Sequence, residues 1–185
     1  PITNLRIAYN DALHGTATAH LDFSQTNPTF TAFIASDLSI GRETGATGGG
    51  VTVANGSLTL GSNSSLTLGS AAAPAALNIG WSQNTNFASG ANGRATGVFD
   101  ALEAGAVLEL NLSELNVGRG STFGVGHGTL RWNQTEVITA PSVYFGRGNA
   151  TGVLEVPAGG QFLLGTAAAP ITNLRIAYND ALHGT

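Results

Sequence analysis

The sequence predicts an all-β fold of the β-solenoid class, with about five coils of roughly 34 residues stacked within one 169-residue tandem unit. Three observations lead there. Residues 170–185 (PITNLRIAYNDALHGT) repeat residues 1–16 letter for letter, which sets a period of 169 residues. Within that period a shorter pattern, apolar–x–apolar–small–large, recurs five times and opens again in the next copy. Around those motifs apolar and polar residues alternate with period two, as in strands that bury one face. The duplicated segment divides the chain into 1–169, one complete unit of stacked coils, and 170–185, the start of an identical unit. The expectation is a piece of a longer tandem array.

The first repeat opens with Leu5-Arg6-Ile7-Ala8-Tyr9, continues with Ala19 to Phe23 and ends with Phe30 to Ile34. The second reads Leu38-Ser39-Ile40-Gly41-Arg42, then Val51-Thr52-Val53, then Leu66-Thr67-Leu68. In the third, Leu77-Asn78-Ile79-Gly80-Trp81 is followed by Gly97 to Ala101 and Val107 to Leu112. Leu108, Leu110 and Leu112 alternate with polar residues, so this last stretch is read as a strand and not a helix. The fourth repeat has Leu115-Asn116-Val117-Gly118-Arg119, Thr129 to Trp132 and Val137-Ile138. The fifth has Val143-Tyr144-Phe145-Gly146-Arg147, Val153 to Val156 and Phe162 to Leu164, and the next copy opens at Leu174 to Tyr178. Gly, Asn, Ser and Thr crowd every junction and supply turn chemistry. The intervals between opening motifs are 33, 39, 38, 28 and 31 residues. A propeller blade of four strands needs more than the shortest of these, which disfavours that alternative.

Stacked coils turn aligned columns into physical rows. The rows Leu5, Leu38, Leu77, Leu115, Val143 and Ile7, Ile40, Ile79, Val117, Phe145 are assigned to the interior. Burial of such rows, at about 25 cal/mol per Å² of apolar surface, is the main stabilising term. The column after the small residue contains Tyr9, Arg42, Trp81, Arg119, Arg147 and Tyr178. Rings and planar guanidinium groups one strand apart can stack face to face, so this row is expected to form an outward stripe that stiffens the unit. A second polar row, Asp22, Thr52, Asp100, Arg131, Glu155, is expected to help hold the register.

Composition excludes several functions. Charged residues make up 10% of the chain, all seven cations are Arg, and the net charge is −4. That balance lacks the basic face a nucleic-acid partner needs. No apolar run is long enough to span a bilayer as a helix, so no membrane insertion is expected of this segment. Cys and Met are both absent, which rules out thiolate chemistry and suits a long-lived extracellular material. No catalytic, metal or cofactor set is assigned. The acids are spread along the chain instead of converging as a hydrolytic pair; Glu103, Glu109 and Glu114 are close only in sequence. His14 and His20, near Asp11 and Asp22, are weak evidence for a metal site, because only one such loop occurs per unit. His127, flanked by glycines in Gly124-Val125-Gly126-His127-Gly128, reads as a turn residue.

The segments LNIG…ATGVFDA (Leu77–Ala101), LNVGRGSTFGVGHGTLRW (Leu115–Trp132) and VYFGRGNATGVLEV (Val143–Val156) resemble the autotransporter-associated β-strand repeats. That resemblance implies a right-handed parallel β-helix at a bacterial cell surface or outside the cell, serving as adhesin, stalk or filament. The leading functional expectation is a structural, non-enzymatic repeat of a long extracellular filament or giant adhesin shaft, whose partners are further copies of itself. The alternatives are a module binding a glycan or host surface through loops such as Trp81–Gly93 or Arg119–Gly128, and a polysaccharide depolymerase.

Overall fold

The computed structural model describes residues 1–12, 14–24, 29–45, 51–84 and 93–179. Among them there are strands and no helix, and every strand pairing is parallel. Numbered in chain order, the first sheet contains β1 (Ile2–Asn10), β3 (Phe30–Glu43), β5 (Ser64–Leu68), β6 (Ala75–Ser82), β8 (Val107–Leu110), β9 (Leu112–Arg119), β12 (Ser142–Arg147) and β15 (Asn173–Tyr178). The second contains β2 (Gly15–Asp22), β4 (Thr52–Thr59), β7 (Gly93–Ala101), β10 (Gly124–Trp132) and β13 (Ala150–Glu155). A third holds only β11 (Val137–Ile138) and β14 (Leu163–Leu164).

This arrangement corrects the expected single β-solenoid. The chain does not form one right-handed β-helix of five equivalent three-stranded coils; its strands are divided among parallel sheets of eight, five and two strands. The eight-stranded sheet forks at β3, whose first half pairs with β5 and whose second half pairs with β1 and β6. Two segments expected as separate strands, Phe30–Ile34 and Leu38–Arg42, are one continuous fourteen-residue strand. Among the described residues Val137–Ile138 pairs with Leu163–Leu164, and the following Thr139 bridges to Asn111. Alternation specifies a half-buried strand; it does not specify how many sheets the strands share.

Within the sheets, pairing is by column. Leu5 lies beside Leu38, Leu38 beside Leu77, Leu77 beside Leu115 and Leu115 beside Val143. Ile7, Ile40, Ile79, Val117 and Phe145 form the neighbouring column. Leu5 is half-buried and the other nine residues are buried. The five-stranded sheet supplies the column Leu21, Leu58, Phe99, Leu130, Leu154, of which Leu58, Phe99 and Leu130 join the same core. Each fully buried side chain of this size contributes about 1.5–3 kcal/mol.

Glycines set how closely the two large sheets approach. Gly80 has φ of 69°, a backbone shape L-residues avoid, and a Cβ there would overlap the His127 carbonyl oxygen. Opposite it, a Cβ on Gly128 would strike the Gly118 amide nitrogen and the Ile79 carbonyl. The left-handed residue also shifts the alternation, so that Leu77 and Ile79 face inward while Asn78 and Trp81 share the outer side. Ala8 and Ala177 occupy the same column with φ of 56° and 52°. Gly80→Ala is expected to lose about 3 kcal/mol of stability from strain and overlap together. Ala8→Gly relieves a left-handed alanine and is expected to gain about 1 kcal/mol. Chemical denaturation of both variants checks the pair; a harmless Gly80→Ala contradicts the backbone-contact account.

Candidate functional site

The chemistry of the chain is concentrated on the outer face of the eight-stranded sheet. Because the left-handed glycine inserts a phase shift, positions 37, 39 and 42 share one side, as do 76, 78 and 81 and then 114, 116 and 119. Along the sheet these become three rows.

The row after the glycine is continuous. Tyr9 pairs with Arg42, Arg42 with Trp81, Trp81 with Arg119, Arg119 with Arg147 and Arg147 with Tyr178. The Arg42 guanidinium lies 4.2 Å from the Trp81 ring centre and 5.9 Å from that of Tyr9. Arg119 covers Trp81 at 4.4 Å, so the indole is flanked by two guanidinium groups. Arg147 lies over Tyr144, 4.5 Å away, and Tyr178 takes Arg175 at 4.1 Å. The stripe therefore continues through a neighbouring column at its end.

Carboxylates beneath the stripe fix the arginines. Arg42 Nη1 donates to Asp37 Oδ2 at 3.3 Å, while its Nε and Nη2 donate to Gln83 Oε1 at 3.2 and 2.9 Å. Burial pushes the Arg42 guanidinium below its ordinary pKa, and Asp37 works in the opposite direction. Glu114 accepts from Arg119 at 3.2 Å through Oε1 and from Arg147 at 2.8 Å through Oε2. Each such half-buried pair contributes about 1 kcal/mol or less, but together they set ring and guanidinium planes.

An amide ladder, not anticipated from the sequence, runs between these rows. Asn78 Nδ2 donates to Asp37 Oδ1 at 2.9 Å, and Asn116 Nδ2 donates to Asn78 Oδ1 at 2.8 Å and to Glu114 Oε1 at 2.6 Å. Asn78 and Asn116 are buried. The ladder ends at Asn116 Oδ1, a buried acceptor without a partner, because Tyr144 occupies the next place in the column. The shared Asn in LNIG and LNVG is the signal that could have disclosed it.

On the five-stranded sheet the second polar row needs correcting. The column is Asp22, Thr59, Asp100, Arg131, Glu155; Thr52 pairs instead with Gly15 and Gly93. Arg131 reaches Asp100 at 3.3 Å and Glu155 at 2.8 Å. Its hydrogen bond to Asp100 raises the guanidinium pKa. Hydrogen bonds from Ser24 lower that of Asp22. His127 is not a turn residue: it lies on β10 between Thr96 and Thr151.

The remaining candidates are dispersed. Glu103 Oε1 accepts from the Ser62 amide at 3.1 Å, Glu109 from Asn111 at 3.1 Å, and Glu114 serves the arginines. His20 Nδ1 contacts Ser57 Oγ at 2.8 Å. Among the described residues no three His, Cys, Asp or Glu side chains are grouped to hold a metal ion. No described helix is long and apolar enough to cross a membrane. Most of the Trp81–Gly93 loop, residues 85–92, lies outside the described residues, as does the 180–185 end of the duplicated segment. No family model, curated protein or solved structure matches the chain.

The Trp81 sandwich makes an energetic prediction. Trp81→Leu removes two cation–π contacts and is expected to cost about 1–2 kcal/mol. Arg42→Lys, which keeps the charge but loses the planar fork, is expected to cost about half as much. Denaturation of both variants together with the double variant should reveal coupling between positions 42 and 81; strictly additive losses contradict a working stack.

Proposed function

We propose that this chain is a structural, non-enzymatic repeat of a long extracellular bacterial filament or adhesin shaft. The observation that carries the reading is the position of the duplicated segment. β15 has the same residues as Asn4–Tyr9 of β1 and joins the eight-stranded sheet beside β12, its Leu174 and Ile176 continuing the two apolar columns. β1 offers Leu5 and Ile7 to β3 in those same columns. One strand sequence therefore suits the place beside β3 and the place beside β12, and successive 169-residue units can join without a change of register.

The two copies differ in their cover. Ile7 is 3% exposed, whereas Ile176, the same residue one period later, is 73% exposed. The strand downstream of Ile7 is β2, whose Ala19 and Leu21 pack against the core. A second unit continuing from β15 supplies the same cover to Ile176. Absence of Cys and Met, the low charge content and the resemblance to autotransporter-associated repeats support an extracellular setting.

Chains carrying three and six copies of the 169-residue unit provide the test. Five parallel steps of about 4.8 Å separate β1 from β15, so each added unit should lengthen the particle by about 24 Å in small-angle scattering and electron micrographs. Independent globules on a string, with no constant increment, overturn the proposal.

A further inference from the structure

We infer that the outer face of the five-stranded sheet carries a binding site for an acidic sugar, centred on Arg94. Six residues from three adjacent strands line a cleft of about 530 Å³: Val53 and Asn55 of β4, Arg94 and Thr96 of β7, and Val125 and His127 of β10. Register sorts them into two rows. Val53, Arg94 and Val125 form one; Asn55, Thr96 and His127 form the other. The cleft thus presents a cation between two apolar side chains, beside an amide, a hydroxyl and an imidazole at strand spacing.

Arg94 is set apart from the other arginines. Arg42, Arg119, Arg131 and Arg147 bind carboxylates, while Arg6 and Arg175 lie over tyrosine rings. Among the described residues Arg94 has neither kind of partner, and its side chain is exposed. No acid lines the cleft. In a chain of net charge −4, an arginine without an acid stands ready for an outside anion. Its planar fork matches a carboxylate in bidentate fashion.

The neighbours narrow the ligand class. Asn55, Thr96 and His127 offer donors and acceptors suited to a polyhydroxylated ring, and the flanking valines suit its C–H faces. A peptide strand would pair at a sheet edge, whereas this is a sheet face whose backbone groups are already used in the ladder. One cation is too few for a nucleic acid. A uronic-acid unit of a polysaccharide satisfies the whole set.

The test is calorimetric titration of the 185-residue chain with tetragalacturonate, with a neutral maltotetraose and with acetate, followed by amide chemical shifts on β7 and β10. Saturable binding of tetragalacturonate, shifts centred on Arg94, Thr96 and His127, and no binding of the neutral sugar are expected. Arg94→Ala should weaken binding by about tenfold or more, with Arg94→Lys between the two and both variants melting like the parent. Thr96→Val should weaken it by a smaller factor. Absence of binding to the parent chain, or equal binding by Arg94→Ala, overturns the site. Acetate that displaces the tetrasaccharide at matched carboxylate concentration overturns its assignment to a sugar.

Discussion

Parallel strands in these sheets satisfy their backbone groups by lying beside the corresponding segment of the next repeat, and that constraint governs every other feature. A slip of one residue would turn Leu38, Leu77 and Leu115 outward and their polar neighbours inward. Once the apolar columns hold the phase, every other column is aligned without further cost in specificity. The Arg42–Trp81–Arg119 sandwich and the Asp37–Asn78–Asn116 ladder are consequences of that alignment. Their own interactions then favour the same phase, so core and surface specify one register.

The glycine columns are the second constraint. Two parallel sheets without helices between them must bury their inner faces against each other. The five-stranded sheet is tapered for this purpose: along the inward positions of β7, Ala95 and Gly97 give way to Phe99. Backbone touches backbone at the narrow side, where Gly80 meets His127, and large side chains fill the wide side. Buried polar groups are tolerated where they are paired, as with Glu43, which accepts from Thr52 at 2.8 Å and from Ser82 at 2.6 Å.

The apolar columns and the Tyr9-to-Tyr178 column are legible in the sequence because each is a spacing between like residues, which survives any change of loop length. The number and division of the sheets are not, since nothing in Phe30–Glu43 distinguishes two strands from one that serves two neighbours. The polar row departs from expectation at Thr52 because the second repeat's alternation starts at Val51, and the partner that register selects is Thr59. His127 departs for a related reason: glycine on both sides signals a turn locally, but here those glycines permit contact between sheets. Arg94 carries no motif at all. Its distinction is the missing acid or ring beside it, a property of three strands together and of none alone.

Cysteine pairing measures the register directly, and a chain without native cysteine suits it. Ser57 and Val98 are half-buried register partners, whereas Ser57 and Thr96 are offset by two residues. Partnered Cα atoms in a sheet fall within disulfide reach, and diagonal ones lie beyond it. Rapid, complete oxidation of a Ser57→Cys/Val98→Cys chain is expected, with its stability retained or raised, and little bond formation in Ser57→Cys/Thr96→Cys. The opposite preference, or equal oxidation of both, would contradict the alignment on which the core, the stripe and the proposed shaft all rest.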